Sequence, residues 1–133
     1  MTPSEKQFIQ AAKKGELGTL QTLLAADPAL LNARDKDGST ALHCATWKGH
    51  RDVVVFLLAA GANVNAHNEN DHWGTTPLHA AAHANHTAVA QLLLDAGADV
   101  NARDMNGQTP LFHTTFHKAT AVANLLRQHN AEA

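Results

Sequence analysis

Between His67 and His86 the chain reads HNENDHWGTTPLHAAAHANH, which gathers five of its ten histidines into one short stretch. Imidazole titrates near neutral pH and is the commonest nitrogen ligand for transition metals, so this is where a metal site or an acid–base catalyst would be sought. His79 and His83 are spaced as H-x-x-x-H, which on a helix brings both rings to one face, and His113 and His117 repeat that spacing. The zinc-protease helix of that kind needs glutamate at its second position to serve as base; Ala80 stands there, and no third ligand is evident in the sequence. The pair His113 and His117 has the same weakness, because two imidazoles alone capture stray transition metal without functional meaning. Cys44 adjoins His43, but sequence neighbours on a helix point in different directions, and the thiol reads as a small core side chain. There is no glycine-rich phosphate loop, no G-x-S-x-G and no carboxylate pair on one helical face, since Asp35, Asp37, Asp99 and Asp104 all fall in turns. The expectation is a chain that is not an enzyme and uses no cofactor and no functional metal.

Composition narrows the remaining classes. With 133 residues and 44% apolar content the chain suits one compact domain. A net charge of -2 offers no basic patch for nucleic acid or anionic membrane, so neither is expected as a partner. One cysteine can build neither an intramolecular disulfide nor a cysteine-based zinc site, which fits a reducing compartment. The polar opening MTPSEKQFIQ does not suit a signal peptide, and no run reaches the length of a membrane span; the reading is cytoplasmic.

The elements that must position these side chains are repeated ones. The segment from Gly38, GSTALHCATWKGH, aligns with GTTPLHAAAHANH from Gly74 and with GQTPLFHTTFHKA from Gly107, at spacings of 36 and 33 residues. Three extra residues near NDHW account for the longer interval. The N-terminal KQFIQAAKKGELGTLQTLLAADPALLNARD keeps the rhythm without the opening motif, which makes four units of approximately 1–36, 37–70, 71–105 and 106–133 in a single domain.

Each unit reads as a helix pair. In the third, Thr76 caps a helix whose first residue is Pro77, where a missing N–H costs nothing, and Leu78, Ala81 and Ala82 recur at helical spacing. The second helix carries Val89, Leu92, Leu93 and Leu94 and stops before Gly97, a residue suited to left-handed backbone, as Gly61 is in the unit before. Leu57, Leu93 and Leu125 are assigned to the core. ADVNARDMNG is polar and turn-rich and projects as a loop. One such unit cannot bury its apolar face alone, whereas a stack of four can.

These residues resemble a known family. TPLHAAAHANH at 76–86 followed by LLLDAGADVNARD at 92–104 is similar to the ankyrin repeat, and TALHCATWKGH with LLAAGANVNA is similar to a second copy. The resemblance implies an all-α solenoid of four stacked helix-turn-helix units with projecting β-turn fingers, first helices lining a concave groove and second helices forming the convex back. It also implies a structural hydrogen-bonding role for His43 and His79, and makes His50 and His86 part of a Gly-His step. Unit one carries Lys6 to Ile9 in place of the Thr-Pro-Leu-His motif, and unit four has Phe112 at the histidine position and Arg127 where Leu94 would repeat; both read as polar-faced end units. Ser4 with Gln7 fits a capping box for the first helix.

By the same resemblance the functional surface is a protein-binding one. Its groove positions are Lys13 and Lys14, Trp47 and Lys48, His83 and Ala84, then Phe116 and His117, with Trp47, His83 and Phe116 in one column. Its finger positions are Lys36, Asp37 and Ser39, then His72, Trp73 and Thr75, then Met105, Asn106 and Gln108. Exposed aromatics are favoured as interface anchors, although these rings could instead pack over neighbouring helices. Trp73 has two readings: it lies on the neighbouring finger and stiffens it, or it flanks the groove with Trp47 as a second anchor. The expected partner of the monomer is another protein, bound by a module that does no chemistry; the alternative is an assembly role through self-association, with Val55 on the convex side available for it.

Overall fold

Threonine and proline set where the helices begin. The computed structural model describes residues 2–69, 73–116 and 118–131; His72 and His117, assigned above to a finger and the groove, lie outside these. The helices are α1 (Pro3–Lys14), α2 (Leu17–Ala26), α3 (Ala41–Lys48), α4 (Arg51–Ala59), α5 (Pro77–Ala84), α6 (Thr87–Asp95), α7 (Pro110–His113) and α8 (Thr120–Gln128), with a 3-10 turn at Pro28–Asn32. Thr40, Thr76 and Thr109 each sit before a first helix in extended backbone, and each hydroxyl accepts the N–H three residues on. The first helices α1, α3, α5 and α7 pack side by side in one layer, and α2, α4, α6 and α8 form a second layer behind them. No strand occurs among the described residues, only an isolated bridge between Arg34 and Thr40.

The core follows the repeat. Leu42, Leu78 and Leu111 occupy one position of the first helices, while Val53, Val89 and Val122, then Leu57, Leu93 and Leu126, occupy two positions of the second; all are buried. Phe8 and Leu20 fill the corresponding space in unit one, both at 0% exposure. Each such side chain gains roughly 1.5–3 kcal/mol from leaving water, and truncation to alanine would cost about 2–5 kcal/mol. Ala11, Ala45 and Ala81 are fully covered between adjacent first helices, and their small size is what lets the layer close up.

Two expectations are corrected. The capping box of α1 is Thr2 with Glu5, not Ser4 with Gln7: Glu5 N–H donates to Thr2 Oγ1 at 3.1 Å, and Thr2 N–H donates to Glu5 Oε1 at 3.0 Å. Pro3 decides between them, because it supplies the first residue of the helix without needing an N–H partner. At the other end Leu126 is the core residue and Leu125 is only half-buried, as the 33-residue register from Leu93 requires.

Unit four departs most. Helix α7 has four residues where α3 and α5 have eight. Thr114 and Thr115 donate their hydroxyls to the carbonyls of Leu111 and Phe112, at 2.6 and 2.8 Å, taking acceptors a continuing helix would use.

Candidate interaction surface

Histidines build the frame on which the surface rests. The main-chain N–H of Thr40 donates to His43 Nδ1 at 3.2 Å, so the ring proton is on Nε2, which donates to the Thr75 carbonyl at 2.9 Å in the next unit's finger. His79 repeats the arrangement, accepting from Thr76 N–H at 3.1 Å and donating to the Gln108 carbonyl at 2.9 Å. Burial pushes both imidazoles down from an ordinary pKa of 6.5 to about 4, which keeps them neutral. Each therefore ties its own helix start to the following finger. Unit one has the buried Ile9 at this position, and Phe112 in unit four is exposed, having no described finger to reach.

A second set of rungs runs backward. His50 Nε2 bonds the Lys13 carbonyl at 2.9 Å, and His86 Nε2 bonds the Trp47 carbonyl at 3.0 Å. Each ring lies over the glycine that ends the preceding first helix, so a Cβ on Gly15 would stand 2.8 Å from the His50 ring and one on Gly49 would stand 2.8 Å from the His86 ring. Ala119 replaces the histidine in unit four, and Asn85 accordingly replaces the glycine in unit three, keeping a positive φ of 59°.

A third cluster is one the sequence did not reveal. His113 and Asp104 form a buried pair, Nε2 to Oδ2 at 2.8 Å, and His79 stands beside them; the three offer ligand atoms within 4.8 Å of one another. His79 and His113, one from each H-x-x-x-H pair, thus meet across units with ring centroids 4.9 Å apart, and Asp104 is the third group that spacing alone did not show. A metal there would have to compete with hydrogen bonds already made. His79 already accepts through Nδ1 and donates through Nε2, so it has no lone pair to give without losing both rungs. Burial works against ionisation of Asp104, but the bond from His113 and the N–H groups of Gln108 and Asn106 outweigh it and lower its pKa. Cys44 is equally inert: burial, then the nearby Asp35 carboxylate, push the thiol up to about 11.

On this frame sits a run of rings. Trp47 stacks on His83 with centroids 5.2 Å apart and 27° between planes, and His83 meets Phe116 at 5.3 Å. Phe116 meets Phe112 edge-on at 5.6 Å. Trp47 and Phe116 are each 47% exposed, so the rings do pack on one another yet keep half their surface in water.

First helices and fingers enclose a recess of about 420 Å³. Of the groove positions it takes in Lys13, Trp47, Lys48 and His83; of the finger positions it takes in Asp37, Ser39, Trp73 and Thr75. Asp35, His43, Cys44, Asn68, His79, Ala80 and His113, which were not singled out as surface from the sequence, complete the lining. Lys14 is exposed outside the recess, Ala84 is half-buried, and Lys36 borders a shallower hollow with Glu5 and Arg34.

The fingers are joined through their main chains. Glu69 N–H donates to the Gly38 carbonyl at 3.2 Å and Met105 N–H to the Trp73 carbonyl at 2.8 Å. Gly38 and Gly74 sit against Glu69 and Met105 so closely that a Cβ would collide, and both have positive φ. Gln108 serves through its main chain, and Asn106 N–H bonds Asp104 Oδ1 at 2.9 Å. The Trp73 ring is edge-on to His113 at 6.5 Å, lines the recess, and is 47% exposed.

Repeated helix pairs and inter-unit rungs together define a stacked-repeat helical solenoid. The family model described as ankyrin repeats (3 copies) matches residues 64–133, and a second described as ankyrin repeats (many copies) matches residues 8–58. The chain belongs to the ankyrin repeat family. It is 46% identical over 61 residues to ankyrin repeat domain-containing protein 49 of Bos taurus, covering 46% of this chain and 26% of that protein. It is 36% identical over 67 residues to oxysterol-binding protein-related protein 1 of Homo sapiens, covering 50% of this chain and 7% of that protein. A match of 43% over 56 residues to palmitoyltransferase akr1 of Schizosaccharomyces pombe covers 42% of this chain and 9% of that enzyme. The chain thus spans about a quarter or less of each of these relatives. Ankyrin repeats are generally protein–protein interaction modules and generally non-catalytic. Among the described residues no helix is long and apolar enough to cross a membrane.

Proposed function

We propose that this chain binds another protein through its groove and fingers and performs no reaction. The observation that carries this reading is the continuous run from Trp47 through His83 to Phe116, in which two large rings keep about half their area exposed on the layer of first helices. An aromatic ring left half in water is a standing cost, and a partner that covers it gains roughly 2 kcal/mol per anchor. Trp73, on the facing finger, supplies a second wall. The catalytic alternatives are weak on their own chemistry, since the thiol is held protonated, His43 and His79 are committed to main-chain partners, and His113 is bonded to the buried Asp104.

Selection of a displayed random-peptide library on the intact chain tests the proposal. Binders should be lost with Trp47→Ala or Phe116→Ala and kept with Val55→Ser, a convex-side change. The assembly reading is favoured by Val55, which is 49% exposed on α4, and light scattering at rising concentration separates it: growth in mass that Val55→Ser abolishes supports assembly over partner binding.

A further inference from the structure

The recess exists because one position of the repeat is left small. In unit two the residue after the motif histidine is Cys44, whose Sγ lies 3.9 Å from Asp35 Oδ2; in unit four it is His113, bonded to Asp104 Oδ2 at 2.8 Å. Asp35 and Asp104 hold the same place in their fingers, each donating its N–H four residues on, to Ser39 and Gln108, and accepting the return N–H on Oδ1. In unit three Asn68 takes that place across the longer finger, with N–H to the Thr75 carbonyl at 2.8 Å and Oδ1 accepting Thr75 N–H at 3.1 Å. Its counterpart on the helix, however, is Ala80, a single methyl. Nothing in the described residues bridges helix and finger there, and the gap opens between the walls made by Trp47 and Trp73.

The lining selects the occupant. His43 and His79 have both ring nitrogens in hydrogen bonds, and the Asn68 amide donates to Thr75 Oγ1 at 3.1 Å, so a polar ligand finds these groups already paired. The rim carries both signs of charge: Lys13 lies 3.8 Å from Asp35, and Lys48 and Asp37 also line the recess. A cation or an anion entering there would meet two ammonium groups and two carboxylates alike, so the rim favours neither sign. About 420 Å³ is within the range of single-ligand pockets.

We infer that the Ala80 recess is a specificity pocket that receives one large uncharged apolar side chain, aromatic or of the leucine and methionine class, from a bound partner protein. This rests on the groove reading above and goes further by naming the chemistry of the anchor. Trp47 and Trp73 clamp the side chain, Ala80 supplies the depth, and the paired floor excludes charged competitors.

The test titrates N-acetyl-tryptophanamide, N-acetyl-leucinamide and N-acetyl-lysinamide into the protein while following the indole N–H resonances of its two tryptophans. The first two should shift both resonances saturably, with Kd on the order of 1 mM, and the lysine amide should not. Ala80→Leu fills the gap and should weaken binding at least about tenfold while melting stays cooperative. Should that variant fail to fold, Trp73→Ala, an exposed change, must give the same loss. Absence of saturation, equal binding of the lysine amide, or an unaltered Kd in the folded Ala80→Leu protein overturns the inference. Phe116→Ala lies outside the recess and should leave the amides bound, so failed titrations beside a library binder sensitive to Phe116→Ala would overturn the pocket and leave the groove reading standing.

Discussion

His86 reaches back one unit to bond the Trp47 carbonyl at 3.0 Å, and its ring covers Gly49, whose φ is 78°. One side chain thus both fixes the end of α3, where Trp47 stands, and requires that the capping residue have no Cβ. Gly49→Ala should cost about 2 kcal/mol, part from left-handed backbone and part from displacing the ring and its bond. His86→Ala should cost about 1 kcal/mol. In chemical denaturation the double variant should fall short of additivity by about 1 kcal/mol, and strict additivity would contradict the steric link.

Acid should loosen the stack through His43 and His79. Both take protons less readily when folded, with pKa lowered to about 4, than in an unfolded chain at 6.5. Between these values the unfolded state binds more protons, so stability is complete above about pH 6.5 and falls as pH drops toward 4, by up to roughly 3 kcal/mol per histidine. Asp104, whose folded pKa is lowered, adds a further loss once pH passes below the ordinary carboxylate value of 3.8. Melting temperature should decline steadily from pH 6.5 to 4.5, and His79→Gln, which keeps a capping side chain but does not titrate, should flatten that decline. A constant melting temperature over this range would refute the assignment.

Stability should be independent of metal. His79 can join His113 and Asp104 around an ion only by surrendering the rungs to Thr76 and Gln108. EDTA should leave the melting curve unchanged, and excess zinc should not raise it. A drop of several degrees on chelation would mean that the cluster is occupied in solution.

Removal of unit four from Gly107 onward should expose unit three. Leu111, Val122 and Leu126 belong to the same buried cluster as Leu78, Val89 and Leu93, and without them the inner faces of α5 and α6 meet water. Aggregation or a broad, weak thermal transition is expected. A soluble truncation that melts as cooperatively as the full chain would show that unit four covers nothing essential.

What the sequence disclosed was whatever the repeat states more than once. Leu57, Leu93 and Leu126 share a register, so the helix pairs and most of the core were legible; Leu125 misled only because two leucines adjoin. The start of α1 was ambiguous because Thr2 to Glu5 and Ser4 to Gln7 both spell a capping box, and only the place of Pro3 separates them. The column of Trp47, His83 and Phe116 could be drawn from the register, whereas its ring contacts could not. Asp104 with His113 stayed hidden because a finger turn brings together residues with no shared motif. The recess was hidden for a deeper reason: it is space left by a methyl at Ala80, and its edges come from different units.

The most direct test of the account is the affinity of one library-selected peptide for four proteins, measured by titration calorimetry: the unaltered chain, Trp47→Ala, Trp73→Ala and Val55→Ser. If groove and finger form the binding surface, the two tryptophan variants should melt normally and lose about 2 kcal/mol of binding or more, roughly a thirtyfold rise in Kd, while Val55→Ser binds as before. Undiminished binding by both tryptophan variants, or a loss confined to Val55→Ser, would contradict it and move the site to the convex face.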